Sequence, residues 1–190
     1  MSETIRTFIA IELPETVLSH IEKVQKGIKS YGFKASWVQP KGIHLTLKFL
    51  GNIAASDTEK VGEAMSETAK AHRPISLSAK GIGVFPGIKK PRVIWIGLSG
   101  DTHPLIQMQK MLDENLQRLG FPAEDRPFKG HLTLARIKES IDAAKLLEAM
   151  NKFGSFESET FTADKIILFK SELKPTGAVY TKLINVNLGG

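Results

Sequence analysis

The chain has 190 residues, 42% of them hydrophobic and 24% charged, with 26 Lys and Arg against 20 Asp and Glu for a net charge of +6. It contains no cysteine, which excludes disulfides, thiolate metal sites and a thiol nucleophile. No segment is long and apolar enough to cross a bilayer, and the opening "MSETIRTFIAIELPE" has too short an apolar run to be a secretory signal, so a soluble cytoplasmic protein is expected.

In chain order, "TFIAIEL" (7–13) predicts a strand closed by Pro14, and "ETVLSHIEKVQKGIKS" (15–30) a helix with Val17, Leu18, Ile21, Val24 and Ile28 on one side. "IHLTLKFLG" (43–51) predicts a strand, and 55–72 a helix with Ser56 as N-cap and Glu59 completing a capping box. Residues 75–85 predict a strand. The order then recurs: strand 92–98, helix 103–119, strand 130–137, helix 140–153, strand 161–173, and a last strand 178–188 joined through "KPTG".

The recurrence has a register. Phe8 precedes His44 by 36 residues, and Val93 precedes His131 by 38. This is a duplicated β-α-β-α-β unit with halves at about 1–90 and 91–190, and no linker divides them. A single two-lobed domain, 1–190, with a pseudo-two-fold axis follows.

The duplication carries "HLTL" twice, at 44–47 and 131–134. With 5 His and 12 Thr in the chain, chance gives about 0.3 copies of His-x-Thr, so two in register are not accidental. Alternation along a strand puts His44 and Thr46 on one face, with Leu45, Leu47 and Phe49 on the other; His131 and Thr133 likewise oppose Leu132 and Leu134.

Histidine titrates near neutrality, so one copy can accept a proton while the other donates one. In-line displacement at phosphorus needs a base behind the nucleophile and an acid behind the leaving oxygen, and a two-fold pair supplies both. The two threonine hydroxyls can bond the non-bridging oxygens. Neither metal-site spacing nor a nucleophile elbow, dinucleotide fingerprint or Walker loop is present. Lys48, four residues after His44, falls on the histidine face by alternation and is a candidate phosphate contact. Arg136, five after His131, would fall on the opposite face unless a bulge turned it. Phe8, Trp37 and Tyr180 are candidates to stack on a base, although for Phe8 core packing is the first reading. His20, His72 and His103 are read as exposed. Gly130, just before the second motif, stands where a bulkier residue is expected.

The paired motifs resemble those of the 2H phosphoesterases. "FIAIELP", "HLTLKFLG", "KGIGVFP", "PRVIWIGL", "HLTLARIK" and "SELKPTGAVYTKL" resemble, more narrowly, the RNA 2′,3′-cyclic phosphodiesterases, also called 2′-5′ RNA ligases. The resemblance implies an α+β, bilobal fold with two antiparallel sheets around a central cleft. It also implies metal-independent hydrolysis of RNA 2′,3′-cyclic phosphate ends to 2′-phosphomonoesters, without a cofactor. His44 is then the proton donor and His131 the proton acceptor, Thr46, Thr133, Arg136 and Lys48 contact substrate, and the reverse reaction is 2′-5′ ligation. Residue by residue, the near-symmetry of the pair leaves open which histidine does which. The implied partner is RNA with a cyclic phosphate terminus, tRNA fragments being one candidate, and the implied state a monomer with no membrane partner. Alternatives are a phosphodiesterase for 2′-5′ oligonucleotides or small cyclic nucleotides, and a non-catalytic RNA-binding protein.

Overall fold

The computed structural model describes residues 3–175 and 177–189; Thr176, in the expected "KPTG" connection, lies outside them. Among the described residues, nine strands and four α-helices run in the order β1 (Thr4–Ile11), α1 (Glu15–Lys29), β2 (Ala35–Trp37), β3 (Leu45–Ala54), α2 (Thr58–Lys70), β4 (Ile75–Phe85), β5 (Val93–Gly100), α3 (Thr102–Arg118), β6 (Leu132–Ile137), α4 (Ala143–Phe153), β7 (Phe161–Ala163), β8 (Lys165–Lys174) and β9 (Gly177–Asn187).

All pairings are antiparallel, in the order β7-β4-β5-β6-β3-β1-β8-β9, with β2 added against β6. The fold is α+β, as expected, but the two sheets are one curled sheet joined at its centre by a single residue pair, Leu45 with Leu132. These two leucines hold the same place in the two "HLTL" copies. An antiparallel pair of equivalent residues is what a two-fold axis through the strand junction produces.

The halves of the sequence are not the lobes of the molecule. One lobe holds β1 and β3 from the first half with β8 and β9 from the second; the other holds β2 and β4 from the first half with β5, β6 and β7. Helices are exchanged too. α2 and α3 pack together, α2 against β8 and β9 and α3 against both β3 and β4, while α1 packs with α4, which covers β4. Gly27 of α1 lies against the Phe153 ring, where a Cβ would collide. The expected single strand 161–173 breaks at Asp164: β7 pairs with β4 in one lobe, and β8 with β1 in the other.

The core lies between the helices and the sheet and takes the leucines of both motifs, with Leu45, Leu132 and Leu134 fully buried. Two helices start later than expected, α2 at Thr58 rather than 55 and α4 at Ala143 rather than 140, and the expected capping box is not formed. Ser56 sits in a single 3-10 turn, α2 starts from Asp57, and no side-chain capping bond forms there; the Thr58 hydroxyl instead donates to the Ala55 carbonyl at 2.8 Å. α4 does have a side-chain cap, with Asp142 accepting from the Ala144 and Lys145 amides at 2.8 and 3.3 Å.

Candidate active site

Both motif histidines are fixed by the same local bond. His44 Nδ1 donates to the Gly42 carbonyl at 2.8 Å, and His131 Nδ1 to the Lys129 carbonyl at 2.7 Å. A carbonyl can only accept, so each neutral ring carries its proton on Nδ1 and leaves the Nε2 lone pair open. The residue two before each histidine supplies the carbonyl, so the same local bond recurs in both copies of the motif.

Aromatic rings set the rest of the orientation. His44 stacks on Phe8 at 4.7 Å between centroids, which stacks in turn on Phe169 at 5.2 Å, and Tyr180 meets His44 edge-on at 5.3 Å. Phe8, Ala10, Ile167 and Phe169 form a small buried cluster separate from the main core, so Phe8 supports the imidazole from below. His131 meets Phe85 at 5.0 Å and Trp95 at 6.2 Å, with the Lys129 ammonium 4.6 Å above the Trp95 ring. Trp37 packs against the main core through β2.

Strict alternation fails after the threonine of each motif, at the same place. Against β1, Ala10 pairs with Thr46 but Ile9 pairs with Lys48, which makes Leu47 an extra residue in β3. Against β5, Trp95 pairs with Thr133 and Ile94 with Ala135, which makes Leu134 extra in β6. Each is a β-bulge, and each reverses the faces beyond it. Phe8 and Val93, aligned from spacing, face Phe49 and Arg136 across their ladders.

Two consequences follow for the expected contacts. Arg136 turns to the histidine face, where its guanidinium acts on both His131 and Tyr180. Lys48 turns away from it, a correction to its expected placement. It is 3% exposed, and its ammonium is held by Asp113 Oδ1 at 2.6 Å, the Pro122 carbonyl at 2.6 Å and Glu124 at 3.5 Å. Phe49, expected among the leucines, lies on the site face instead, 56% exposed and 5.9 Å from the Phe8 ring. It occupies the first-half position equivalent to Arg136. The signal that could have found Phe49 was the alignment of "HLTLKF" with "HLTLAR", which puts the aromatic opposite the guanidinium.

Gly130 is explained by packing. A Cβ there would lie 3.0 Å from Leu98 Cδ1 and 3.3 Å from Leu105 Cδ2. Beside it lies a cavity of about 330 Å³ lined by Trp95, Leu98, Ile106, Phe128 and Lys129. The other three histidines stay outside the site. His103 is exposed, His20 half-buried, and His72 is half-buried with Nδ1 bonded to the Thr68 carbonyl at 2.9 Å. Among the described residues no three His, Asp or Glu side chains converge as metal ligands, and no helix is long and apolar enough to cross a membrane.

Burial lowers the pKa of both motif histidines below the usual value, and their bonds to the Gly42 and Lys129 carbonyls oppose this. The nearest charges then separate the pair. Glu12, itself bridged to Lys182 at 2.7 Å, favours the protonated form of His44; Arg136 and Lys129 favour the neutral form of His131.

The family profile described as LigT like phosphoesterase matches residues 11–95 and, a second time, residues 96–180. The chain belongs to the LigT-like phosphoesterase family. The double match restates the duplication seen in the strand junction. Among curated LigT-like relatives, a Methanocaldococcus jannaschii protein named RNA 2′,3′-cyclic phosphodiesterase is 37% identical over 175 residues, 92% of this chain and 96% of that one. One of the same name from Methanothermobacter thermautotrophicus is 30% identical over 179 residues, 94% of this chain and 96% of its own length. Among solved structures, TT0787 of Thermus thermophilus superposes with a TM-score of 0.80 at 28% identity, covering 98% of this chain and 99% of that one. E. coli LigT complexed with 3′-AMP, at 23% identity and a TM-score of 0.77, covers 99% of this chain and 100% of its own, and shares the fold.

Proposed function

We propose that the chain hydrolyses the 2′,3′-cyclic phosphate at an RNA end to a 2′-phosphomonoester, with His44 as the acid and His131 as the base. The observation that carries this reading is the matched pair of Nδ1 bonds to the Gly42 and Lys129 carbonyls, which leave the Nε2 lone pairs open on two strands that meet at Leu45 and Leu132. The names of the curated relatives support the same reaction.

His131 Nε2 takes a proton from water as the water oxygen bonds to phosphorus. The P–O3′ bond breaks on the opposite side, and His44 Nε2 gives its proton to that oxygen. The histidines end in exchanged protonation states, which solvent resets. The charge asymmetry, Glu12 near His44 and Arg136 with Lys129 near His131, supports this assignment over its reverse. Thr46 and Thr133 donate to the non-bridging oxygens, Arg136 balances their charge, and Phe49 offers an exposed ring to a base. Neither metal nor cofactor is required, because the pair supplies both proton transfers. With a 5′-hydroxyl in place of water the same groups form a 2′-5′ linkage. One chain provides the whole site, so a monomer suffices, and tRNA fragments bearing the cyclic end are suitable substrates.

The test is an oligonucleotide ending in a 2′,3′-cyclic phosphate, incubated with chelator-treated protein and read by phosphorus NMR. The expected product is the 2′-phosphate, with His44→Ala and His131→Ala each slower by roughly 10²–10⁴-fold and the double variant little worse than either. A 3′-phosphate product, or turnover that survives both substitutions, contradicts the proposal.

A further inference from the structure

Two glutamines hold matching places in the repeat, Gln25 in "VQKGI" (24–28) of α1 and Gln109 in "MQKML" (108–112) of α3. Both are almost fully buried, at 6% and 5% exposure. A buried side-chain amide is costly unless its hydrogen bonds are made, and an apolar residue could pack in either place. Both amides are spent on the same backbone feature.

Gln25 Nε2 donates to the Leu134 carbonyl at 3.0 Å and to the Val38 carbonyl at 2.8 Å. Gln109 Nε2 donates to the Leu47 carbonyl at 3.3 Å. Leu47 and Leu134 are the two bulge residues. The bonds cross the duplication: the helix of the first half reaches the motif strand of the second, and the reverse. Because only an NH₂ can donate to a carbonyl, the partners fix which way each amide points.

We propose that Gln25 and Gln109 are positioning residues, each holding the bulge in the other half's histidine strand and so keeping Arg136 and Phe49 on the site face. A bulge takes a peptide group out of the regular ladder, and its buried carbonyl is costly unless its hydrogen bonds are made. The Leu134 carbonyl also accepts from the Val38 amide at 2.9 Å, so Gln25 supplies its second bond and ties it to the Val38 carbonyl. Removing the glutamine weakens the preference for the bulged register. In the regular register the faces reverse, Ala135 replacing Arg136 beside His131 and Lys48 replacing Phe49. The inference rests on the proposed reading of the site as regards rate, but not as regards geometry.

The test uses Gln25→Met and Gln109→Met, which keep length and bulk and remove the donor. It reads kcat/KM on a cyclic-phosphate oligonucleotide, alone and with Arg136→Ala, together with imidazole NMR spectra of His44 and His131. Gln25→Met is expected to lower kcat/KM by about 10- to 100-fold, to shift the His131 signals while leaving His44 nearly unmoved, and to cost less than about threefold once Arg136 is already Ala. Gln109→Met is expected to shift His44 and to add its full cost to that of Arg136→Ala. Full activity with unmoved spectra, full additivity of Gln25→Met with Arg136→Ala, or each glutamine acting on the histidine of its own half would overturn the proposal. Where a methionine variant does not fold, Gln25→Glu and Gln109→Glu keep the shape and lack the amide donor; failure of all four to fold would make the pair purely structural and also overturn it. If the wild type has no turnover on this substrate, the proposed reaction fails, while the NMR shifts still decide the positioning role.

Discussion

Lys48 gives the sharpest separation between a residue that binds substrate and one that holds the fold. Its ammonium is inside the protein, 2.6 Å from Asp113 Oδ1, and Asp113 is 18% exposed. Asp113→Ala would leave a buried cation with the Pro122 carbonyl and a 45%-exposed Glu124 at 3.5 Å. Removing one partner of a buried pair costs roughly 3–5 kcal/mol. For a chain of this size each kcal/mol moves Tm by about 2–4 °C, so a fall on the order of 6–20 °C is expected. Lys48→Met fills the same space without charge, and Asp113 keeps its 3.3 Å bond from the Glu124 amide and some water. That variant should lose much less stability and, with Asp113→Ala added, recover most of what the single aspartate change lost. Differential scanning calorimetry of the four proteins, with kcat/KM on a cyclic-phosphate oligonucleotide, checks this. kcat/KM should stay within about threefold for Lys48→Met. A tenfold or greater loss of rate with Tm unchanged would show that Lys48 reaches the phosphate, and would refute the argument from the bulge.

Arg136→Ala should lower kcat/KM by about 10- to 100-fold, the worth of a charged hydrogen bond. Arg136→Lys should recover only part of this, since a point charge lacks the planar fork; steady-state kinetics at two salt concentrations would show it. Phe49→Ala should weaken nucleotide binding by about 5- to 150-fold at constant Tm, because base stacking on an aromatic is worth about 1–3 kcal/mol and the ring is largely exposed; calorimetric titration with a mononucleotide is the check. Burial lowers both histidine pKa values in the free protein, so kcat/KM should be greatest on the acid side of the ordinary imidazole value. It should fall as pH rises and His44 loses its proton, and fall again in acid as His131 gains one. A flat profile between about pH 5 and 9 would sink the two-histidine mechanism. The same direction of shift means that folding favours the neutral rings. Their contribution to stability is complete above the unfolded histidine pKa and is lost as pH falls through the folded values, which urea unfolding at several pH values would reveal.

The duplication, the order of the longer elements and the alignment of Phe8 with Val93 were legible because each depends on local pattern or spacing; the three-residue β2 was too short to give such a signal. The placements of Lys48 and Phe49 were not, because a period of two assumes an unbroken ladder and one inserted residue reverses everything beyond it. Arg136 showed the problem in advance: its place in the motif demanded the face that alternation denied. The break at Asp164 was hidden because the residues on both sides are apolar and suited to strands, and only pairing with β4 or β1, far away in sequence, tells them apart. The exchange of strands and helices between lobes is likewise non-local. Gln25 and Gln109 read as ordinary polar helix residues until their carbonyl partners across the molecule are seen.

The assignment of acid and base can be tested through the leaving group. A substrate whose 3′-oxygen is replaced by sulfur expels a thiolate, which needs little help from an acid. On it, His44→Ala is expected to come within about tenfold of the unmodified protein, while His131→Ala stays slower by roughly 10²–10⁴-fold. Rescue of His131→Ala in place of His44→Ala would reverse the roles, and rescue of neither would contradict acid–base catalysis by this pair.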